Sequence, residues 1–407
     1  MSEREVAVTG IGMVTPPGLG REATWDGLCA GEGLGAFDED LAGLPVDFSC
    51  RVPGFDGNAL LGRRITWRND RFIHLAMVAA REAVADAALD PAVWDAPRVA
   101  IVIGTASNGG DRWPQEYRNL DEGRVEAISP TALLRSLPNM VAGEVSKDLR
   151  ALGPCLTTST ACASGATAVG TARDLLRAGA CDIAIAGGTD SARVPMGSAA
   201  FYRMQALSRR CHDPAGASRP FDADRDGFVL SEGAAMLILE RPLHARARGA
   251  RVRGYLSGYG ASSDGYHATR PDPEGAGARR AVEAALADAR AELAEVHHVN
   301  AHGTSTPLND EVEAAMLSAV FRTPPPVTSL KGVIGHSLGA AGAVDAACTV
   351  LSLERQLIPP TANLDRLDDG MDLDVVTKIA RRHRMEGALS NSFGFGGQNA
   401  VLFFRAA

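Results

Sequence analysis

Apolar runs rich in Val and Ile alternate along the chain with Ala-rich stretches whose apolar positions recur at helical spacing. In the first half, Glu5 to Thr9 reads as a strand ending in a Gly turn, and Phe72 to Ala88 as an amphipathic helix. Arg98 to Ile103 and Asp182 to Ala186 read as buried strands, followed by Gly104-Thr105 and Gly187-Gly188. The second half repeats the theme. Arg251 to Tyr259 leads into Gly260, and His297 to Ala301 leads to Gly303. Gly335 to Gln356 reads as one Ala/Gly-rich helix stopped by Pro359-Pro360, and Ala400 to Phe404 as a last strand. This alternation predicts an α/β architecture with largely parallel sheets covered on both faces. The similar order of elements points to an internal duplication joined between Leu239 and Arg251. We therefore expect halves at 1–245 and 246–407 that share one core, because no low-complexity linker separates them.

Composition narrows the class. Of 407 residues, 45% are hydrophobic and 22% charged, the balance of an ordinary globular chain large enough for a substantial core. A formal net charge of -8 gives no reason to expect a nucleic-acid partner. No apolar run approaches the roughly 18 residues of a membrane span, so no membrane partner is expected. The first residues lack a basic stretch followed by an apolar one, and no signal peptide is expected. The Cys count is 7, an odd number with no CxxC pair, which argues against a disulfide framework or a zinc site and for a reducing cytoplasm.

Four segments carry candidate chemistry. In Thr158-Ser159-Thr160-Ala161-Cys162-Ala163-Ser164-Gly165, the Thr and Ser hydroxyls offer caps to a helix of small residues beginning at Ala161. Cys162 then sits at a buried helix N-terminus, where the dipole and free N–H groups favour a thiolate nucleophile. A packed structural cysteine is the alternative. In Asn300-Ala301-His302-Gly303-Thr304-Ser305-Thr306, a strand ends at His302, which can project into a cleft, while His297 and His298 read as structural or surface residues. In Lys331-Gly332-Val333-Ile334-Gly335-His336, a second His opens a small-residue helix and should stay neutral there. Lys331, in an apolar Gly-rich segment, reads as a buried lysine with Glu313 as its candidate partner, with a surface lysine as the alternative. In Asn391-Ser392-Phe393-Gly394-Phe395-Gly396-Gly397, glycines flanking Phe395 can expose N–H groups, or simply make a tight turn. One Cys and one His would also suit a cysteine hydrolase. Two histidines suit stabilisation of an enolate as a carboxylate leaves.

TACASG, NAHGTSTP, GHSLGAAG and NSFGFGG, in that order, resemble the type II β-ketoacyl-acyl carrier protein synthases of the thiolase-like superfamily. The resemblance covers the whole chain and includes Ser218-Arg219-Pro220-Phe221-Asp222 and Pro359-Pro360-Thr361-Ala362-Asn363. It implies a duplicated five-layered α-β-α-β-α fold and a dimer, with itself or with a related ketosynthase-like chain. It implies that Cys162 takes the acyl group and that His302 and His336 promote decarboxylation of malonyl-acyl carrier protein. It also implies an oxyanion hole from the N–H groups of Cys162 and Phe395, with Phe395 as acyl gate. Lys331 and Glu313 would hold the hydrogen-bond network, and Thr304 and Thr306 the phosphopantetheine arm. No redox cofactor is implied. Some relatives hold a monovalent cation, and Asn300 and Asn399 match positions near it.

The chain departs from the common pattern at three places. Ser329-Leu330 precedes Lys331 without the usual Thr, Gln398 replaces Thr or His, and Asp345 replaces Glu. These favour a specialised, polyketide-type ketosynthase over a housekeeping one. An acidic carrier protein calls for a basic dock. Arg63, Arg64, Arg68 and Arg71 form one cluster and Arg209 and Arg210 another, with a plain solvated surface as the alternative. Pocket walls are expected at 106–136 and 195–202. A non-catalytic chain-length factor would lack Cys162, and a thiolase would need a second catalytic Cys, for which Cys348 inside a helix pattern is poorly placed.

Overall fold

The computed structural model describes residues 5–107 and 110–407. The main strands are β1 Val6–Thr15, β2 Val99–Gly104, β3 Cys155–Thr158, β4 Ile183–Ser191 and β5 Glu232–Glu240, then β6 Gly254–Ser263, β7 His298–Asn300, β8 Val327–Thr328, β9 Gly387–Gly394 and β10 Gln398–Ala406. The first group lies in the order β3-β2-β4-β5-β1 and the second in the order β8-β7-β9-β10-β6. The two orders are the same permutation. In each, two parallel pairings are followed by two antiparallel ones. The main helices repeat in step: α1 Arg71–Asp86, α2 Asn139–Leu149 and α3 Ser164–Arg177 in the first half, α4 Ala276–Ala289, α5 Pro307–Val320 and α6 Ala341–Arg355 in the second. The chain is thus built twice on one plan.

Burial follows the strand period. On β5, Ala235, Leu237 and Leu239 point to a central layer formed by α3 and α6, while Ala234, Met236 and Ile238 point to α1. On β10, Leu402 and Phe404 face the central layer, and Val401 and Phe403 face α4 and α5. Helices therefore cover both faces of both sheets, giving α-β-α-β-α. The two sheets are continuous through Val6–Val8 of β1, paired with Gly254–Leu256 of β6.

Glycines set how closely the outer helices sit. A Cβ on Gly12 would lie 2.0 Å from the Ala79 carbonyl oxygen of α1, and one on Gly260 would lie 2.1 Å from the Ala281 oxygen of α4. This explains why β1 runs to Thr15, well past the expected end at Thr9. Gly10 and Gly12 break the apolar pattern because a helix backbone occupies the space of a side chain.

Two further expectations are corrected. The sheets are mixed, because β9 and β10 are joined by the three-residue turn Phe395–Gly397, which permits only an antiparallel return. The single helix expected from Gly335 to Gln356 begins only at Ala341, after a 3-10 turn at Leu338–Ala340. Positive φ at Gly335 and Leu338 interrupts it, and the small residues there serve close packing.

Gly12→Ala and Gly260→Ala should each lower stability by about 1–3 kcal/mol in urea denaturation, the cost of overpacking against backbone. Gly143→Ala, in α2 with nothing within 4 Å of the added methyl, should be neutral or slightly stabilising. Equal effects at the three positions would contradict the close helix–strand approach.

Candidate active site

Cys162 stands on a sharp turn between β3 and α3. Ala161 has φ 49, a left-handed conformation costly for a residue with a Cβ. The turn is braced by Ser164, whose hydroxyl accepts from Thr160 N–H at 2.9 Å and donates to the Ala161 carbonyl at 2.6 Å. The helix begins at Ser164, with Ala163 at its cap and no side-chain capping bond. The expected helix start at Ala161 and the Thr and Ser caps are therefore corrected: Thr158 donates to the Ser164 carbonyl instead.

His302 lies two residues beyond the end of β7 at Asn300. Its N–H and that of Gly303 donate to the two oxygens of Glu313, at 2.9 and 2.7 Å, and Asn391 donates to the same carboxylate at 3.1 Å. Gly303, at φ 36, makes the turn that lets one carboxylate collect both. His336 is fixed from its other side. Its N–H donates to Val229 at 2.8 Å, its carbonyl accepts from Ser231 at 3.1 Å, and the Phe228 ring lies edge-on at 5.3 Å.

These turns bring Cys162 Sγ and one ring nitrogen of each histidine within 4.8 Å of one another. The imidazoles sit 5.5 Å apart at 83°. All three residues are buried and line a cavity of about 710 Å³. Ala106, Phe201, Phe228 and Leu338 line one part of it and Thr304 and Thr306 another. The two threonine hydroxyls are 2.8 Å apart. Half-buried Phe395 borders the same cavity, in the turn between β9 and β10. Of the expected pocket walls, Ala106, Ser107 and Phe201 line it; 108 and 109 fall outside the described residues, and Leu133 and Leu134 are exposed.

Burial dominates the electrostatics. It pushes the Cys162 thiol up to about 11, against the Phe395 N–H and the Lys331 charge, which pull it down, while the Asp190 charge raises it further. The expected resting thiolate is therefore corrected: desolvation outweighs the N–H groups. Burial, with the nearby Lys331 charge, pushes both imidazoles well below their ordinary value, so both are neutral. The neutrality expected of His336 holds, for a different reason than a helix terminus. Burial raises Glu313 to about 7 against its N–H donors.

Lys331 is fully buried, but its partner is not Glu313. Its ammonium donates at 2.8 Å to Asp345 on α6, because Glu313 is already committed to the His302 turn. Asn300 and Asn399 have different hydrogen-bond partners. Asn300 bonds Asp345 O and Thr349, whereas Asn399 bonds Ser262 and Asp264 beside the cavity. Arg71 is withdrawn from the basic cluster by bonds to Glu232 at 2.6 and 2.8 Å. Arg63, Arg64 and Arg68 are exposed with no acid partner among the described residues, Arg209 lies over Tyr202, and Arg210 donates to the Asp224 carbonyl. The sequence reading missed Ser164, Asn391 and Asp190. The last is an acid inside a buried strand, which is itself a readable signal.

Two family models cover this architecture: "Beta-ketoacyl synthase, N-terminal domain" matches residues 3–245 and "Beta-ketoacyl synthase, C-terminal domain" residues 253–365. The chain belongs to the β-ketoacyl synthase family and is a ketosynthase with the thiolase-like fold. It is 38% identical over 412 residues to 3-oxoacyl-[acyl-carrier-protein] synthase 2 of Vibrio cholerae, spanning 100% of both chains. It is 40% identical to the "Putative polyketide beta-ketoacyl synthase 1" of Streptomyces cyaneus, over 98% of this chain and 97% of that one. Among solved structures, the ishigamide ketosynthase/chain length factor matches with TM-score 0.94 and 33% identity, covering 100% of each chain.

Breaking the buried ion pair should be costly. Lys331→Met leaves Asp345 as an unpaired buried carboxylate and should lose about 3–5 kcal/mol in urea denaturation, much of it recovered in Lys331→Met/Asp345→Leu. Strict additivity of the two variants would refute the pairing. Alkylation of Cys162 by iodoacetamide should be slow at neutral pH and rise steadily toward pH of about 11. A plateau already reached at neutral pH would show a resting thiolate.

Proposed function

We propose that the chain catalyses decarboxylative Claisen condensation between an acyl group held on Cys162 and malonyl-acyl carrier protein, in fatty acid or polyketide synthesis. The observation that carries this reading is the convergence of one thiol and two neutral imidazoles within 4.8 Å on the wall of a cavity. The Cys162 sulfur attacks the acyl thioester, the carrier thiol leaves, and an acyl-enzyme forms. The thiol proton passes to a neighbouring neutral imidazole and on to the departing thiol. The N–H groups of Cys162 and Phe395, which both act on the sulfur region, hold the oxyanion. Malonyl-carrier protein then loses CO2. Neutral His302 and His336 donate to the enolate oxygen, and its carbon attacks the acyl thioester. A C–C bond forms, the S–C bond breaks, and the released Cys162 thiolate takes up a proton from water to restore the resting thiol. Thr304 and Thr306 line the path of the phosphopantetheine arm, and Phe395 gates the acyl entry. Glu313 holds His302, while Lys331 supplies a fixed positive charge. No resident cofactor takes part; the acyl groups arrive on the carrier protein.

Exposed Arg63, Arg64, Arg68 and Arg209, with Arg210, offer the dock for that acidic partner. One solved relative, 31% identical with TM-score 0.89, is a type II PKS acyl-carrier protein in complex with its ketosynthase bound to the hexaketide. Among the described residues strand β3 pairs only with β2, and Leu133, Leu134, Leu137, Leu152 and Leu156 are exposed. This open edge and apolar surface support a dimer, either with itself or with a related chain-length-factor subunit. Among the described residues no helix is long and apolar enough to cross a membrane, and we assign the enzyme to the cytoplasm.

Incubation with acyl- and malonyl-carrier protein, followed by intact mass, should show an acyl adduct on Cys162 and a product two carbons longer. Cys162→Ala should abolish the adduct. His302→Ala and His336→Ala should keep it and lose condensation by roughly 10²–10⁴-fold. An adduct without elongation points to a missing partner subunit. No adduct from any acyl donor would overturn the reading.

A further inference from the structure

Directly behind the cavity lies a carboxylate that the chemistry above leaves without a role. Asp190, next to last in β4, is fully buried. It has no cationic partner among the described residues; besides the N–H of its neighbour Ser191, its donors are N–H and O–H groups from two distant segments. Oδ2 accepts from the N–H of Ala106 at 2.9 Å and from the N–H of Gly339 at 2.9 Å. The Ser107 N–H reaches both oxygens, and the Ser107 hydroxyl bonds Oδ1. Ala106 and Ser107 form one wall of the cavity, and Leu338, preceding Gly339, forms another.

The fit is tight enough to dictate sequence. A Cβ on Gly339 would lie 2.5 Å from the Ala106 nitrogen and 2.8 Å from Asp190 Oδ2. Leu338 is held at φ 49, a conformation that needs outside support. The donors around the carboxylate supply that support. A neutral carboxamide could not accept from all of them, since its NH2 would face an N–H or O–H. Several bonds to a charged acceptor are each worth more than neutral ones.

We propose that Asp190 is a positioning residue that clamps the two walls of the acyl cavity, Ala106–Ser107 and Leu338–Gly339, and thereby sets which acyl chains fit against Cys162. The inference rests on the condensing reading above. The clamp also places a carboxylate near the thiol, its own pKa raised by burial against the donors that hold it. The titratable groups facing that thiol are His302, His336, Lys331 and Asp190, of which Lys331 lowers its pKa and Asp190 raises it.

Asp190→Asn and Gly339→Ala, each compared with wild type by thermal denaturation, separate clamp from fold. In Asp190→Asn, loss of the negative charge should speed iodoacetamide alkylation of Cys162 by about threefold or more at mildly alkaline pH. The ratio of acylation rates for long and short acyl-carrier donors should change by about tenfold, the scale of pocket discrimination. Gly339→Ala keeps the charge but wedges the clamp, so it should move the acyl ratio and leave the alkylation profile in place. A third variant, Ser107→Ala, removes only one donor and covers the case in which Asp190→Asn does not fold; it should shift the acyl ratio in the same sense. If the folded variants keep the wild-type acyl ratio, the clamp is overturned. If the wild type itself forms no acyl-enzyme, the condensing reading fails instead, and the alkylation experiment still reports on the charge.

Discussion

The structure depends on how closely α3 and α6 cross at the centre of the molecule. A Cβ on Gly165 would lie 2.7 Å from the Ala343 nitrogen, and one on Gly342 would lie 2.8 Å from the Ala166 nitrogen. Larger residues at either position would separate the helix starts. Cys162 precedes α3 and His336 precedes α6, so that separation would pull the thiol from the imidazole. The duplication matters for the same reason. Each half contributes one central helix, and the site lies where their N-terminal ends meet. Neither half contains the trio alone.

Around this neutral trio the protein buries several ionisable groups, and each is held differently. Glu313 is held by N–H donors of the loop it shapes, Lys331 and Asp345 by each other, and Asp190 by two cavity walls. Buried charges of this kind are poor sources of net stability. What they give here is geometry, since a desolvated carboxylate tolerates no loss of its donors. The effective use is to fix loops that carry no regular hydrogen bonding. His302 and the Leu338–Gly339 turn both lie on such segments.

The fold class, the duplication and the positions of Cys162, His302 and His336 were legible in the sequence, because they rest on periodicity and on residues that stand out from small-residue surroundings. The mixed sheet direction was not, since alternating patterns are the same for parallel and antiparallel strands buried on both faces. The ends of β1 and α6 were misread for one shared reason: Gly10, Gly12, Gly335 and Gly339 answer to neighbours distant in sequence, not to local propensity. The Lys331 partner was misassigned on the same ground. Glu313 and Asp345 are both buried acids near the site, and only the path of the His302 turn decides which one is free.

The electrostatic state of the trio follows from one choice, exclusion of water. Burial alone would raise a thiol and lower an imidazole, and both occur here. In solvent, the thiol would ionise more readily and the imidazoles would protonate more readily, each protonated imidazole being lost as a neutral donor for the second half-reaction. Keeping both histidines neutral reserves them as donors for charge that develops only when the malonyl group loses CO2. The cost falls on the thiol, which must be deprotonated against burial. The N–H of Phe395 and the fixed charge of Lys331 offset part of it. Asp190 works against them, so its retention next to the nucleophile makes sense only if the geometry it imposes outweighs the reactivity it removes.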